Sequence, residues 1–185
     1  MKKLIFLAAV LISPWAHGQA IVAITNDYKT KIEAFSAKPD AVIVKSSTTI
    51  GVIARDVAHP IEIRAEEAFN VSTSNRLYGV AIRIKTERGL SIDHIDYDEL
   101  GSLIEGIQTI LQSGHTQLDN YDAYFRTRSG FVVAKYSNND KISASLKSGS
   151  SEAVQDYVDT EMLKELSRNL SISKDKLDTL RRDGN

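Results

Sequence analysis

Between Tyr78 and Lys85 the chain alternates strictly. Tyr78, Val80, Ile82 and Ile84 fall on one side of an extended backbone, Arg83 and Lys85 on the other. A period of two means a strand with one face on a core and one in water, as in an antiparallel sheet. Ile61 to Ala65 repeats the pattern, with Ile61, Ile63 and Ala65 set against Glu62 and Arg64. Upstream, Ala41 to Ser46 and Thr49 to Arg55 are β-branched runs parted by a polar turn, which reads as a strand pair. Ile24, Tyr28, Ile32 and Phe35 recur at helical spacing before Pro39, so a short helix is expected ahead of these strands.

The period changes near Tyr97. Leu100, Leu103, Ile104, Ile107, Ile110 and Leu111 lie on an arc of roughly 120° when wound at about 100° per residue, a core-facing helical stripe. Gly114 is placed to close that helix as a left-handed cap. A three-strand meander follows. Tyr121 to Arg128 meets Phe131 to Ser137 across a two-residue Ser129-Gly130 loop, and Asn138-Asn139-Asp140 turns into Lys141 to Lys147. Past a polar Ser148 to Ser151 hinge, Val154, Tyr157, Val158, Met162 and Leu166 hold helical spacing. Asn169-Leu170-Ser171 breaks that run before a second short helix over Lys174 to Arg182. The expected architecture is α+β, an antiparallel sheet with helices packed on one face, in the order (α)β4-α-β3-α.

The N-terminus changes the setting. Lys2 and Lys3 precede an apolar run from Leu4 to Ile12, Pro14 breaks it, and small residues allow cleavage after Gly18 or Ala20. That is the layout of a secretory signal peptide over residues 1–18, of bacterial type. The apolar run is far shorter than the roughly 20 residues a bilayer span needs, and no later segment approaches that length. A periplasmic or secreted chain is expected, with one domain over residues 21–182. Domains in that oxidising space often carry disulfides, but this chain has no cysteine and must stand on its core. About 165 mature residues bury roughly 70% of their unfolded surface, which suffices. Thiol catalysis and thiolate metal sites are excluded. Losing Lys2 and Lys3 takes the formal net charge from −1 to −3, so no bulk attraction draws the domain to nucleic acid.

Candidate chemistry concentrates in Asp93 to Glu99, with three aspartates, a histidine and a glutamate in seven residues. Most of it suits a strand handing over to a helix. Asp96 and Glu99 have capping-box spacing, and Asp98 and Glu99 suit the positive end of the helix dipole. The metal alternative uses Asp93, His94 and Asp96, the last two sharing a face if the segment is extended; the spacing matches neither an EF-hand loop nor HExxH. No GxSxG, GxGxxG or GxxxxGK[ST] is present, so enzymatic activity has no local support and no cofactor is implied.

The meander offers the better candidate. Tyr124, Arg126 and Arg128 share one face of their strand, with Lys135 beside them. Exposed, that face would suit stacking and anionic groups; the plainer alternative is a solvated face with charges paired across strands.

The Tyr78-Gly79-Val80 strand, the Ile95-Asp96-Tyr97-Asp98-Glu99 helix start and the Y-x-R-T-x-x-G-F run from Tyr124 to Phe131 resemble a group of small secreted bacterial proteins of unassigned function. The strand–helix order is also similar to the Whirly-type single-stranded-nucleic-acid fold, in topology alone; export and net acidity argue against that activity. The first resemblance implies a secreted single domain and no catalytic residues. The expectation is therefore an exported, non-enzymatic binding domain of the cell envelope. Its partner would be another envelope protein, or an anionic or apolar ligand, with no nucleic acid. A metal-assisted hydrolase and an apolar-ligand carrier are the alternatives.

Overall fold

A computed structural model describes residues 29–183, except 55, 57, 114–119, 139–140 and 152–153. The expected signal peptide, Ile24, Tyr28, the Gly114 cap and the centre of the 138–140 turn lie outside the described residues.

A short helix α1 (Lys31–Ser36) opens the described chain. Thr30 accepts from the Glu33 N–H at 3.3 Å while the Glu33 carboxylate takes the Thr30 N–H at 3.1 Å. This reciprocal box satisfies two donors that a helix start otherwise leaves open. Four strands follow, β1 (Ile43–Ala54), β2 (Pro60–Asn70), β3 (Arg76–Thr86) and β4 (Gly89–Asp96), paired antiparallel in chain order. Then come α2 (Tyr97–Gln112), a second antiparallel sheet of β5 (Asn120–Arg126), β6 (Val132–Asn138), β7 (Lys141–Lys147) and β8 (Gln155–Val158), and a closing helix α3 (Thr160–Asp183).

The mixed α+β class holds, but the arrangement differs from the expected one. There are two four-stranded sheets, not one, and the order is α-β4-α-β4-α. The two β-branched runs near Thr49 form a single strand with a bulge at Ile50, between Thr49 and Gly51, so the polar Ser47-Thr48 is no turn. The fourth strand of the first sheet is instead Gly89–Asp96. The eighth strand falls where a helix was expected. Val154 and Val158 are four apart, a spacing that fits a helical turn and one side of a short strand equally, and pairing with β7 decides for the strand. Helix α3 runs through Asn169-Leu170-Ser171 unbroken. Leu166, Leu170 and Leu177 are buried along one side, and Ser171 and Ser173 return their hydroxyls to the carbonyls of Ser167 and Asn169. Asn169 packs where Gly51 leaves room, since a β-carbon at Gly51 would come within 2.7 Å of the Asn169 side chain.

One hydrophobic core joins both sheets and both long helices. Its first wall is a block of paired side chains, Ile61–Ile84, Ile63–Ile82 and Ala65–Val80, continued by Ile95 opposite Val80. Its second wall is Phe131, Val133, Ala144, Leu146 and Val158. Helices α2 and α3 pack against each other, and each touches both sheets. They therefore lie against two sheets rather than on one face of one sheet. Helix α1 takes the opposite face of the first sheet, where Ile32 packs over Gly79. No described helix covers the outer face of the second sheet.

Candidate functional site

The acidic stretch is the first test of chemistry. It sits at the corner where β4 becomes α2, and alternation along β4 separates its members. Asp93 points into the core side with Ile95, whereas His94 and Asp96 point to the face that carries α1. Asp96 is 3% exposed and accepts from the backbone N–H groups of Lys31 at 2.9 Å and Ile32 at 3.1 Å. It serves the start of α1, not of α2, so the expected Asp96–Glu99 capping box is not formed. Glu99 accepts instead from the backbone N–H of Arg128 at 2.7 Å, and the Arg128 guanidinium reaches Glu99 at 3.3 Å and Asp98 at 2.9 Å. Lys31 holds the other oxygen of Asp98 at 2.9 Å. Two cations accordingly hold the Asp98 carboxyl below the usual carboxylate range. The stretch is a clamp joining α1, α2 and the β5–β6 turn.

His94 bonds through Nδ1 to Glu66 at 2.9 Å, and His59 is engaged with Asp56 at 3.0 Å in the β1–β2 turn. Asp93, His94 and Asp96 thus do not converge. No group of three or more metal-ligating side chains is present among the described residues.

Asp93 is the unusual member. It is 1% exposed, and Oδ1 accepts from the N–H groups of Gly149 at 2.8 Å and Ser150 at 2.9 Å, while Oδ2 has no hydrogen-bond partner among the described residues. Burial pushes its pKa up, outweighing the Ser148 hydroxyl and the two N–H donors that pull it down. Folding therefore takes up a proton between the ordinary aspartate value and the raised one. Stability from this group is greatest below that window and is lost as pH rises through it. Asp93→Asn retains the acceptor for both N–H groups and never ionises. It is expected to melt higher than the native chain at neutral pH, with the difference closing as pH falls below the ordinary carboxylate value of about 3.9. Thermal melts across that range check it; a difference independent of pH would refute the raised pKa.

The meander residues divide differently from expectation. Arg128 is not in β5 at all. The two strands are joined by residues 127–131, closed by Thr127 N–H to the Phe131 carbonyl at 2.9 Å and by Gly130 at φ +89°. This five-residue turn replaces the expected two-residue loop and aims Arg128 at the clamp. Lys135 lies on the inner side with Ala123, its register partner, and is 6% exposed. Its ammonium donates to the carbonyls of Ile110, Leu111 and Ser113 at 3.3, 3.5 and 2.6 Å. These are the open acceptors at the negative end of α2, which a buried lysine can satisfy. Neither residue belongs to the outer face.

Tyr124 and Arg126 do. The register places Tyr124, Ala134, Ser145 and Tyr157 in one row across the four strands. Tyr124 is 68% exposed and Tyr157 61%, whereas Ala134 and Ser145 between them are only 3% and 1% exposed. Two standing rings therefore flank a low floor, roughly 14 Å apart at about 4.8 Å per strand. The next row carries Arg126, Val132, Lys147 and Gln155, so two cations line one side. On the other side Tyr136 leans over the floor with its hydroxyl 3.1 Å from Ser145 Oγ. A cavity of about 320 Å³ lies at the Tyr124 end of this row, lined by Tyr124, Arg126, Tyr136, Ser145 and Lys147 and by the carboxylate of Asp122; Tyr157 stands beyond it. Lys147 and Ser145 were legible as outward residues of an alternating strand. Tyr157 was not, because its segment read as helix.

Fold and face together define an α+β domain of two four-stranded sheets in which no described helix covers the outer face of the second sheet. No family model, no curated protein and no solved structure matches the chain.

Proposed function

We propose that the chain is an exported, non-enzymatic binding domain of the cell envelope whose outer β5–β8 face holds an anionic, ring-bearing chain such as an acidic oligosaccharide. The row Tyr124–Ala134–Ser145–Tyr157, bordered by Arg126 and Lys147, carries this reading. Large aromatics on a water-facing sheet forgo burial, and the small residues between them keep the floor low, with the Tyr136 ring lying across it. Stacking on the rings tolerates varied ring chemistry, and the cations select negative charge along one side. The hydrolase alternative has lost its geometric basis, since Asp93, His94 and Asp96 are separately engaged. The apolar-carrier alternative has no comparable support, because the space between the sheets is filled by Ile, Leu, Val and Phe side chains.

The test uses tyrosine fluorescence, which is clean in the mature chain because the sole tryptophan, Trp15, falls in the expected leader. Oligogalacturonate is titrated against a neutral oligosaccharide of equal length. Tyr124→Ala and Arg126→Ala should each weaken the acidic ligand about tenfold, equivalent to about 1.4 kcal/mol, with melting temperatures unchanged. Equal affinity for both sugars, or no effect of either substitution, would sink the proposal.

A further inference from the structure

A second cleft, remote in sequence from the Tyr124 cavity, lies where the start of α1, the start of β3, the start of α2 and the end of α3 meet. It encloses about 420 Å³, within the range of small-molecule sites. Its wall includes Lys31, Arg76, Tyr78, Tyr97, Asp98 and Arg181.

The charges around it can be assigned one by one. Asp96 spends both oxygens on the N–H groups of α1. Asp98 is held by Lys31 and Arg128. Glu67 takes Arg76, whose guanidinium also stacks on Phe69 at 4.2 Å. Asp178 accepts from the Tyr97 hydroxyl and from Lys174. Each of these carboxylates has its own close partners, Arg128 serving Glu99 as well as Asp98, and Arg181 acts on Asp178 only from beyond contact. Arg181 has no carboxylate within ion-pair distance among the described residues; its guanidinium lies 4.0 Å over the Tyr97 ring.

Contact with the Tyr97 ring steadies that guanidinium without using its N–H donors in an ion pair with any described carboxylate. The ring itself is steadied, with its hydroxyl tied to Asp178 and Lys174 5.5 Å from its centroid. The Arg181 donors on α3 rest against a ring held on α2, so less rotamer freedom remains to be lost on binding.

We infer that this cleft is a binding site for the carboxylate of a small organic acid, taken by the edge of Arg181 with the Tyr78 and Tyr97 rings beside it. The absence of a close ion-pair partner for Arg181 among the described residues selects the class. One unmatched guanidinium suits one negative charge in a planar, two-oxygen group. A phosphate dianion would need a second cation, and those at hand are engaged. The carboxylate can belong to a free acid or to a peptide C-terminus.

The experiment is calorimetric titration of the mature protein with benzoate, benzamide, inorganic phosphate, and a short peptide ending in phenylalanine with a free or an amidated C-terminus. Benzoate should bind saturably at one site and benzamide at least tenfold more weakly. Arg181→Gln should weaken benzoate at least tenfold, and Arg181→Lys should recover only part of that. Arg182→Gln, one residue along and hydrogen-bonded to Thr179, should leave it unchanged. Arg181 is exposed near the end of its helix, so its variants should melt with the native chain, and each melt is recorded. Tighter binding of the free than the amidated peptide, beyond benzoate, supports the site with a chain terminus as its source. Tighter benzoate supports a free acid. The inference is overturned by absence of saturable benzoate binding, by phosphate or benzamide binding as well as benzoate, or by Arg181→Gln and Arg182→Gln acting alike.

Discussion

Phe131→Ala is expected to destabilise the protein by about 3–5 kcal/mol, the usual cost of emptying a phenylalanine site in a packed core. Phe131 is fully buried and is the largest such side chain in the molecule's described core. It stands where the β5–β6 turn re-enters the sheet, and its carbonyl accepts the Thr127 N–H that closes that turn. The cavity would open among sheet and helix side chains of the shared core, which are held from several directions and can collapse only in part. For a domain this size each kcal/mol corresponds to about 2–4 °C, so the melting temperature should fall by roughly 6–20 °C. Circular dichroism melts measure this directly. A fall within about 2 °C would show that Phe131 is not a core element and would undo the packing described for the second sheet.

Gly149→Ala should be nearly as costly for the opposite reason. A β-carbon there would overlap the Ser129 carbonyl oxygen and the Gly130 carbonyl carbon and come 2.6 Å from the Phe131 nitrogen. All three are backbone atoms, so no side chain can swing aside. Overpacking of a fitted site costs about 1–3 kcal/mol, and the upper end is expected where the backbone must yield. The same shift disturbs the Gly149 N–H that Asp93 accepts at 2.8 Å. The two positions are thus coupled. Urea denaturation should show a lower midpoint with an unchanged slope. The cost in an Asp93→Asn background should depart from additivity by 0.5 kcal/mol or more, on the order seen for residues in contact. An unchanged midpoint would mean that the 148–151 turn does not pack on the 127–131 turn.

Local pattern carried far in this chain, and its failures have physical causes. The alternation of β3 was readable because Val80, Ile82 and Ile84 face a core while Arg83 and Lys85 face away. The stripe of α2 was readable because a helix with one wet side must be amphipathic. The first sheet has the expected four strands but not the expected four: polar Ser47-Thr48 mimics a turn inside the single strand β1, and acidic β4 resembles a helix approach. Short runs such as Val154 to Val158 satisfy two periods at once, so only the partner strand decides them. Asn169-Leu170-Ser171 looked like a break because helix propensity was weighed without knowing that Leu170 would be buried.

The candidate residues divide in the same way. Tyr124 and Arg126 were placed on an outward face by period two, and they lie there. Arg128 and Lys135 were misplaced because a five-residue turn and a one-step register offset send them to α2. What the sequence by itself determined is the α+β class, the cysteine-free core and the faces of its clearest strands and helix, since these follow from which neighbours along the chain are apolar. The division into two sheets, the partners of Asp93, Asp96 and Glu99, the row joining Tyr124 to Tyr157 and the placing of Arg181 over the Tyr97 ring were decided by tertiary structure. Each depends on groups brought together from distant parts of the chain, and no local spacing encodes which carboxylate will meet which cation.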